Sequence, residues 1–195
     1  MSYLLNALSM LVQVAFGAIA TLFLCRVLAE ANRVDFHNPL SQFIYRFTNP
    51  VLAPVRRILP NWRRINLAAV LVIWLTLLIE RLLIFSLAGF VPSLLGLLIL
   101  SIADLLDFVL LFYIVVIFAW SLLSMLSVDP HQPLIRLAGA IVQPVLRPLR
   151  GKLMVANIDF SPTVVVIALL LARILLVQPI FDIGAHLAQG VLLAK

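Results

Sequence analysis

Four long apolar runs decide what this chain can be. Residues 7–28, 67–87, 102–127 and 163 to about 181 each supply about the 20 mostly apolar residues that cross a hydrocarbon core. In lipid the backbone finds no water, so such runs must close their own hydrogen bonds as helices. Composition agrees. Of 195 residues 64% are hydrophobic and 11% charged, against roughly half and a quarter in a soluble domain. An ordinary soluble domain and a disordered chain are both excluded.

Met1 to Asn6 carries no charged side chain, and the apolar run continues to Leu24. A secretory signal would open on basic residues and close on a small-residue cleavage site. Leu22, Phe23 and Leu24 ahead of Cys25 also match a lipoprotein site poorly. The first run therefore reads as a retained span. Cys25 is the single cysteine, so no internal disulfide or cysteine metal pair is available.

The net charge of +6 comes from 14 Lys/Arg against eight Asp/Glu. The basic residues gather in two stretches between spans. Glu30 to Arg64 holds Arg33, Arg46, Arg56, Arg57, Arg63 and Arg64; Ser127 to Ser161 holds Arg136, Arg147, Arg150 and Lys152. Short basic loops stay in the cytoplasm. This explains the charge better than nucleic-acid binding, and no direct nucleic-acid partner is expected. Both termini and the short stretch 88–101 then lie outside, which in a bacterium is the periplasmic face of the inner membrane.

The chain repeats itself. DFHNPLSQFIYRFTNPVLAPVR from Asp35 aligns with DPHQPLIRLAGAIVQPVLRPLR from Asp129 at a constant offset of 94, with nine of 22 positions identical. The shared residues include Asp35/Asp129, His37/His131, Pro39/Pro133, Pro50/Pro144, Pro54/Pro148 and Arg56/Arg150. Two tandem repeats follow, 1–93 with basic loop 30–64 and 94–195 with basic loop 127–161. Two spans per repeat give both copies one orientation, with the symmetry axis along the membrane normal.

Within each loop, Asn38 before Pro39 reads as an N-cap with proline at the first helical position. Leu40, Phe43, Ile44 and Phe47 then recur at helical spacing, as do Leu134, Leu137, Ala138 and Ile141. Each loop is thus expected to hold a short interfacial amphipathic helix. Pro50 or Pro144 should stop it, and Pro54 or Pro148 should keep the stretch bent. The expected fold is an all-α membrane protein: four transmembrane helices as two tandem two-span repeats, each with a Pro-broken amphipathic cytoplasmic hairpin. Whether the hairpins lie at the interface or re-enter the membrane stays open. Arg56, Arg57, Arg147 and Arg150 would face anionic head groups or a protein partner.

The doubled D-x-H-x-P and P-V-L-x-P-x-R pattern resembles the YggT family of small bacterial integral membrane proteins. N-P-L-S-Q-F after Asp35, R-R-I-L-P at Arg56 to Pro60 and N-I-D-F-S-P at Asn157 to Pro162 are similar to family signatures. The first repeat departs from the last of these, with Ile65-Asn66-Leu67-Ala68 in place of I-D-F-S. The resemblance implies osmotic tolerance and potassium homeostasis for bacterial members. Plastid and cyanobacterial relatives are linked instead to cytochrome cofactor assembly, nucleoid partitioning and division. It supplies no catalytic residues to carry across.

Asp35, His37, Asp129 and His131 have ligand chemistry, but two residues per repeat are simpler as helix caps, so neither a metal nor a cofactor is expected. The charges inside the spans are more informative, because each costs about 2.5–3.5 kcal/mol at mid-membrane. Glu80 and Arg81 lie toward the outer end of the second span. Asp104 and Asp107 share one face of the third, and the short connection makes these spans neighbours. Arg81 is expected to pair with one of the aspartates, and Arg173, about mid-span, to reach the same cluster. Arg26 is expected to snorkel to the surface, and Trp62 to anchor at the interface. No nucleophile elbow, zincin motif, P-loop or cysteine pair points to an enzyme.

Two functions fit. One is a small cation-transport component or accessory working through the charged cluster. The other is a membrane organiser that recruits partners through its basic loops. Four close-packed helices leave no aqueous lumen, so conduction would need an oligomer, a membrane-protein partner or an opened bundle.

Overall fold

The computed structural model describes residues 2–34, 37–126, 129, 132–149, 153–155 and 158–189. Asp35, His131 and Arg150 lie outside them. Helix α1 (Ser2–Ala31) is followed by α2 (Pro39–Val55), α3 (Leu67–Leu87), α4 (Leu94–Met125) and α5 (Pro133–Leu146). A two-residue ladder of β1 (Met154–Val155) and β2 (Ile158–Asp159) leads into α6 (Ser161–Ala172), a π turn (Arg173–Val177) and α7 (Gln178–Gln189). Four helical stretches, Tyr3–Ala31, Leu67–Leu87, Leu94–Ser124 and Ser161–Ala188, are long and apolar enough to cross a membrane.

The spans are longer than the apolar runs suggest. The third starts at Leu94 because the Ser93 hydroxyl caps it, accepting from Gly96 N at 3.1 Å. The connection from α3 thus shrinks to a turn in which Gly89 takes a left-handed φ of 71°. The fourth passes through the π turn at Arg173–Val177 and runs on past Phe181 to Gln189. Close approach explains that continuation. Gly96 lies so near Ala188 that no side chain fits between them, and a Cβ on Gly184 would meet Leu100 at 3.0 Å. Small residues let membrane helices approach in this way. Ser93 Oγ also donates to Leu187 O at 2.7 Å, tying the start of α4 to the end of α7.

Each repeat packs its own two spans most extensively, α1 on α3 and α4 on α7. A core of Ala20, Phe23, Leu24, Ala68, Ala69 and Ile73 fills the first repeat. Ile117, Val142, Leu146 and Val165 fill the second. The amphipathic helices bury one face each, through Ile44 and Leu52 on α2 and Leu137, Ile141 and Val142 on α5.

The prolines act differently from the expectation. Helix α2 continues through Pro50 and Pro54 to Val55, and α5 through Pro144 to Leu146. Prolines at 50 and 54 deprive the carbonyls of Arg46 and Pro50 of their helical donors. Residues 46, 50 and 54 are all exposed, one turn apart, so the lost bonds fall on the exposed face of the helix, where they cost least.

Asn38 caps α2, its Oδ1 accepting from Leu40 N at 2.9 Å. Its amide also donates to Pro133 O at 2.8 Å, so the two amphipathic helices start from one point between the repeats. The symmetry extends further. Trp62 and Ile65 form a bridge that matches the Val155–Ile158 pair at an offset of 93.

Candidate functional site

Two charged centres lie at different heights in the bundle. The first is inside the spans. Arg81 on α3 makes a two-pronged contact with Asp104 on α4, Nε donating to Oδ2 at 2.8 Å and Nη2 to Oδ1. Arg173 at the head of the π turn makes a second, with Nε to Asp107 Oδ1 at 2.6 Å and Nη2 to Oδ2 at 2.9 Å. Asp104 and Asp107 share one face of α4, as their spacing requires, and hold a neighbouring helix each. The Arg81 guanidinium also lies 5.2 Å from the Phe181 ring.

A cleft of about 310 Å³ opens between α1, α3 and α4 beside these pairs. Gln13, Glu80, Arg81, Asp104 and Asp107 line it, and it is large enough for several waters. Glu80 is the odd member. Half-buried, it has no hydrogen bond or ion pair among the described residues, while both aspartates are matched by arginines. Three carboxylates stand against two guanidiniums, so one carboxylate has no guanidinium of its own.

The second centre sits at the end of the bundle where α2 and α5 lie. Arg26 is 2% exposed. It does not snorkel, because α2 covers it: its guanidinium stacks 3.2 Å over the Tyr45 ring, and Nη2 donates to Asn49 Oδ1 at 3.2 Å. Glu30, one turn on, is a hub. Its Oε1 lies 2.7 Å from Arg26 Nε and 2.6 Å from Arg56 Nη2, and its Oε2 accepts from Asn66 Nδ2 at 2.9 Å. Asn66 also caps α3 through Ala69 N at 3.1 Å. One carboxylate thus joins α1, the end of α2 and the start of α3. Burial raises the Tyr45 hydroxyl above its ordinary pKa, Glu30 adds to the rise, and Arg26 and Arg56 oppose it.

Of the loop arginines, Arg56 turns inward to Glu30, whereas Arg57 and Arg147 are exposed. Trp62 is 61% exposed. His37 and Asp129 are exposed, and no group of three or more metal-ligating side chains occurs among the described residues. Sequence reasoning missed the Glu30 hub. Arg26 and Glu30 at an i, i+4 spacing were the available signal, but only the covering α2 makes that pair buried.

The repeats do not share these centres. At the offset of 94, Arg26 and Glu30 match Trp120 and Ser124, while Asp104 and Asp107 match Met10 and Gln13.

Comparison with known proteins supplies the context. A family model described as CCB3/YggT matches residues 4–87 and 99–180. The chain is 30% identical over 195 residues to the "Uncharacterized protein YggT" of Escherichia coli K12, covering 97% of this chain and 100% of that protein. It is 32% identical over 184 residues to an uncharacterized protein of Pseudomonas aeruginosa, covering 89% and 90%. An uncharacterized protein of Haemophilus influenzae is 31% identical over 152 residues, covering 77% and 81%. No solved structure matches.

Proposed function

The chain belongs to the CCB3/YggT family of membrane proteins, and on that footing we propose that it is a non-enzymatic component of, or accessory to, cation transport, supporting osmotic tolerance or potassium homeostasis. The observation that carries the reading is Glu80, a carboxylate within a span, beside a polar cleft and without a fixed counter-ion. Such a group takes up a proton or a cation, because an isolated charge in a membrane is costly. Asp104 and Asp107, held in place by their arginines, add acceptor oxygens to the same cleft. A homo-oligomer or a membrane partner would complete a pathway that one four-helix bundle does not enclose. The basic loops face the cytoplasm of a bacterial inner membrane in this reading, and the termini lie outside.

Potassium flux into proteoliposomes of the purified protein tests it. Wild-type flux that disappears in Asp104→Asn/Asp107→Asn and falls in Glu80→Gln is the expected result. Unchanged flux in both folded variants would remove the cleft from the mechanism. The second reading, a membrane organiser acting through the basic loops, is favoured by the exposed Arg57 and Arg147. It predicts that Arg57→Gln/Arg147→Gln, and not the aspartate pair, abolishes the cellular phenotype.

A further inference from the structure

The arginines around Glu30 form more than an interhelical staple. A basin of about 550 Å³ opens beside the hub, lined by Arg26, Glu30, Arg33, Arg56, Arg63 and Arg64 among others. Five guanidiniums meet one carboxylate there. Arg33, Arg63 and Arg64 make no ion pair among the described residues. Arg26 is buried at 2% exposure, yet its Nη1 has no hydrogen-bond partner, and neither has Arg56 Nε. Buried guanidinium donors without acceptors mark a place where an acceptor is missing.

The backbone gives a second, independent sign. Two non-glycine residues take a left-handed φ, Arg33 at 51° and Arg63 at 54°, and both line this basin. Arg33 follows the end of α1, where Arg33 N donates to Glu30 O at 3.2 Å and Val34 N to Ala29 O at 2.9 Å. That closing motif favours glycine at its left-handed position. The same pair of bonds closes α3, from Gly89 N to Ser86 O and Phe90 N to Phe85 O, and there the left-handed residue is glycine. Arg63 stands first in the two-residue turn closed by Trp62 and Ile65, again a position that suits glycine. Two arginines at glycine positions, both lining one basin, break local preference where a ligand would repay the strain.

We infer that this basin is a binding site for a phosphate-bearing anion, held by Arg33, Arg63 and Arg64 above the buried charge of Arg26, while Glu30 keeps Arg26 and Arg56 in place. Guanidinium forks match phosphate oxygens in pairs. The excess of positive charge suits a group carrying more than one negative charge, or a head group with a second anion nearby. The basin lies at the ends of the spans, within reach of both lipid head groups and soluble phosphates. This site is separate from the cation cleft and stands whether or not the protein conducts.

The test uses the full-length protein in nanodiscs of neutral phosphatidylcholine, with thermal midpoint and calorimetric binding as readouts. One arm adds inorganic pyrophosphate against potassium chloride of equal ionic strength. The other replaces part of the lipid with phosphatidylglycerol. Stabilisation by pyrophosphate identifies a soluble phosphate as the ligand; stabilisation by phosphatidylglycerol alone identifies the head group. Arg33→Asn/Arg63→Asn keeps residues that tolerate left-handed φ. It is expected to hold or gain stability in neutral discs while its affinity drops by about tenfold or more for each charge removed. Arg46→Gln/Arg136→Gln, at exposed positions outside the basin, should retain the response. The inference falls if neither phosphate source stabilises the wild type, if the asparagine variant responds fully, or if both double variants lose the response alike.

Discussion

Replacing Glu30 with glutamine removes the negative charge from the hub while keeping its size. Arg26, 2% exposed, would then be a buried cation with no counter-ion among the described residues. The glutamine amide keeps one acceptor oxygen, so either the 2.6 Å contact to Arg56 or the 2.9 Å contact to Asn66 meets an NH2 instead. Removing one partner of a buried pair costs about 3–5 kcal/mol. Glu30 and Arg56 are 17% and 31% exposed, and Arg56 is free to turn outward, so the cost should sit near the low end, about 3 kcal/mol. Removing both members of the pair, as in Arg26→Met/Glu30→Leu, strands no buried arginine but leaves the buried Asn66 amide without its acceptor, so it should cost about 1–2 kcal/mol, less than the single variant. Equilibrium unfolding by SDS titration in mixed micelles reads both values. Wild-type stability in Glu30→Gln, or a double variant as unstable as the single one, would refute a charge-satisfying role for Glu30.

Two further outcomes follow from the geometry. A Cβ at Gly96 would lie 2.8 Å from the Ala188 Cβ and closer still to its backbone, so Gly96→Ala should cost about 1–3 kcal/mol. Ala188→Gly should not rescue it, because the obstruction is main chain; Gly17→Ala, with nothing within 4 Å, should instead gain about 0.5–1 kcal/mol, all three read by the same titration. If both termini face outward, Tyr3→Cys in a Cys25→Ser background is labelled by a membrane-impermeant maleimide in spheroplasts; labelling only after lysis would invert the topology.

Much of this was legible because it is local or periodic. The start of α2 at Pro39 follows from Asn38 and its neighbour. The three-residue spacing of Asp104 and Asp107, with a short connection from Arg81, places complementary charges at one height. What escaped the sequence depends on tertiary cover. Arg26 near a helix end reads as a surface residue until α2 folds over it. Pro50 reads as a helix stop until residues 46 and 50 are known to face outward. The left-handed arginines leave no trace in composition, since any loop rich in arginine looks alike before its backbone angles are known. The continuation of the fourth span past Phe181 depends on Gly96 meeting Ala188, a pairing of residues 92 positions apart.

The unequal halves constrain how this bundle relates to simpler ones. The two repeats hold different residues where the charged centres lie. A homodimer of first halves would gather two Glu30 hubs but leave each Arg81 without its aspartate. A homodimer of second halves would have the aspartates, with Trp120 and Ser124 where the hub should be. Each half therefore carries residues that the other lacks. If the chain were split at the turn between α3 and α4, the fragments would be complementary parts, not interchangeable ones, and only the mixed pair would contain both centres.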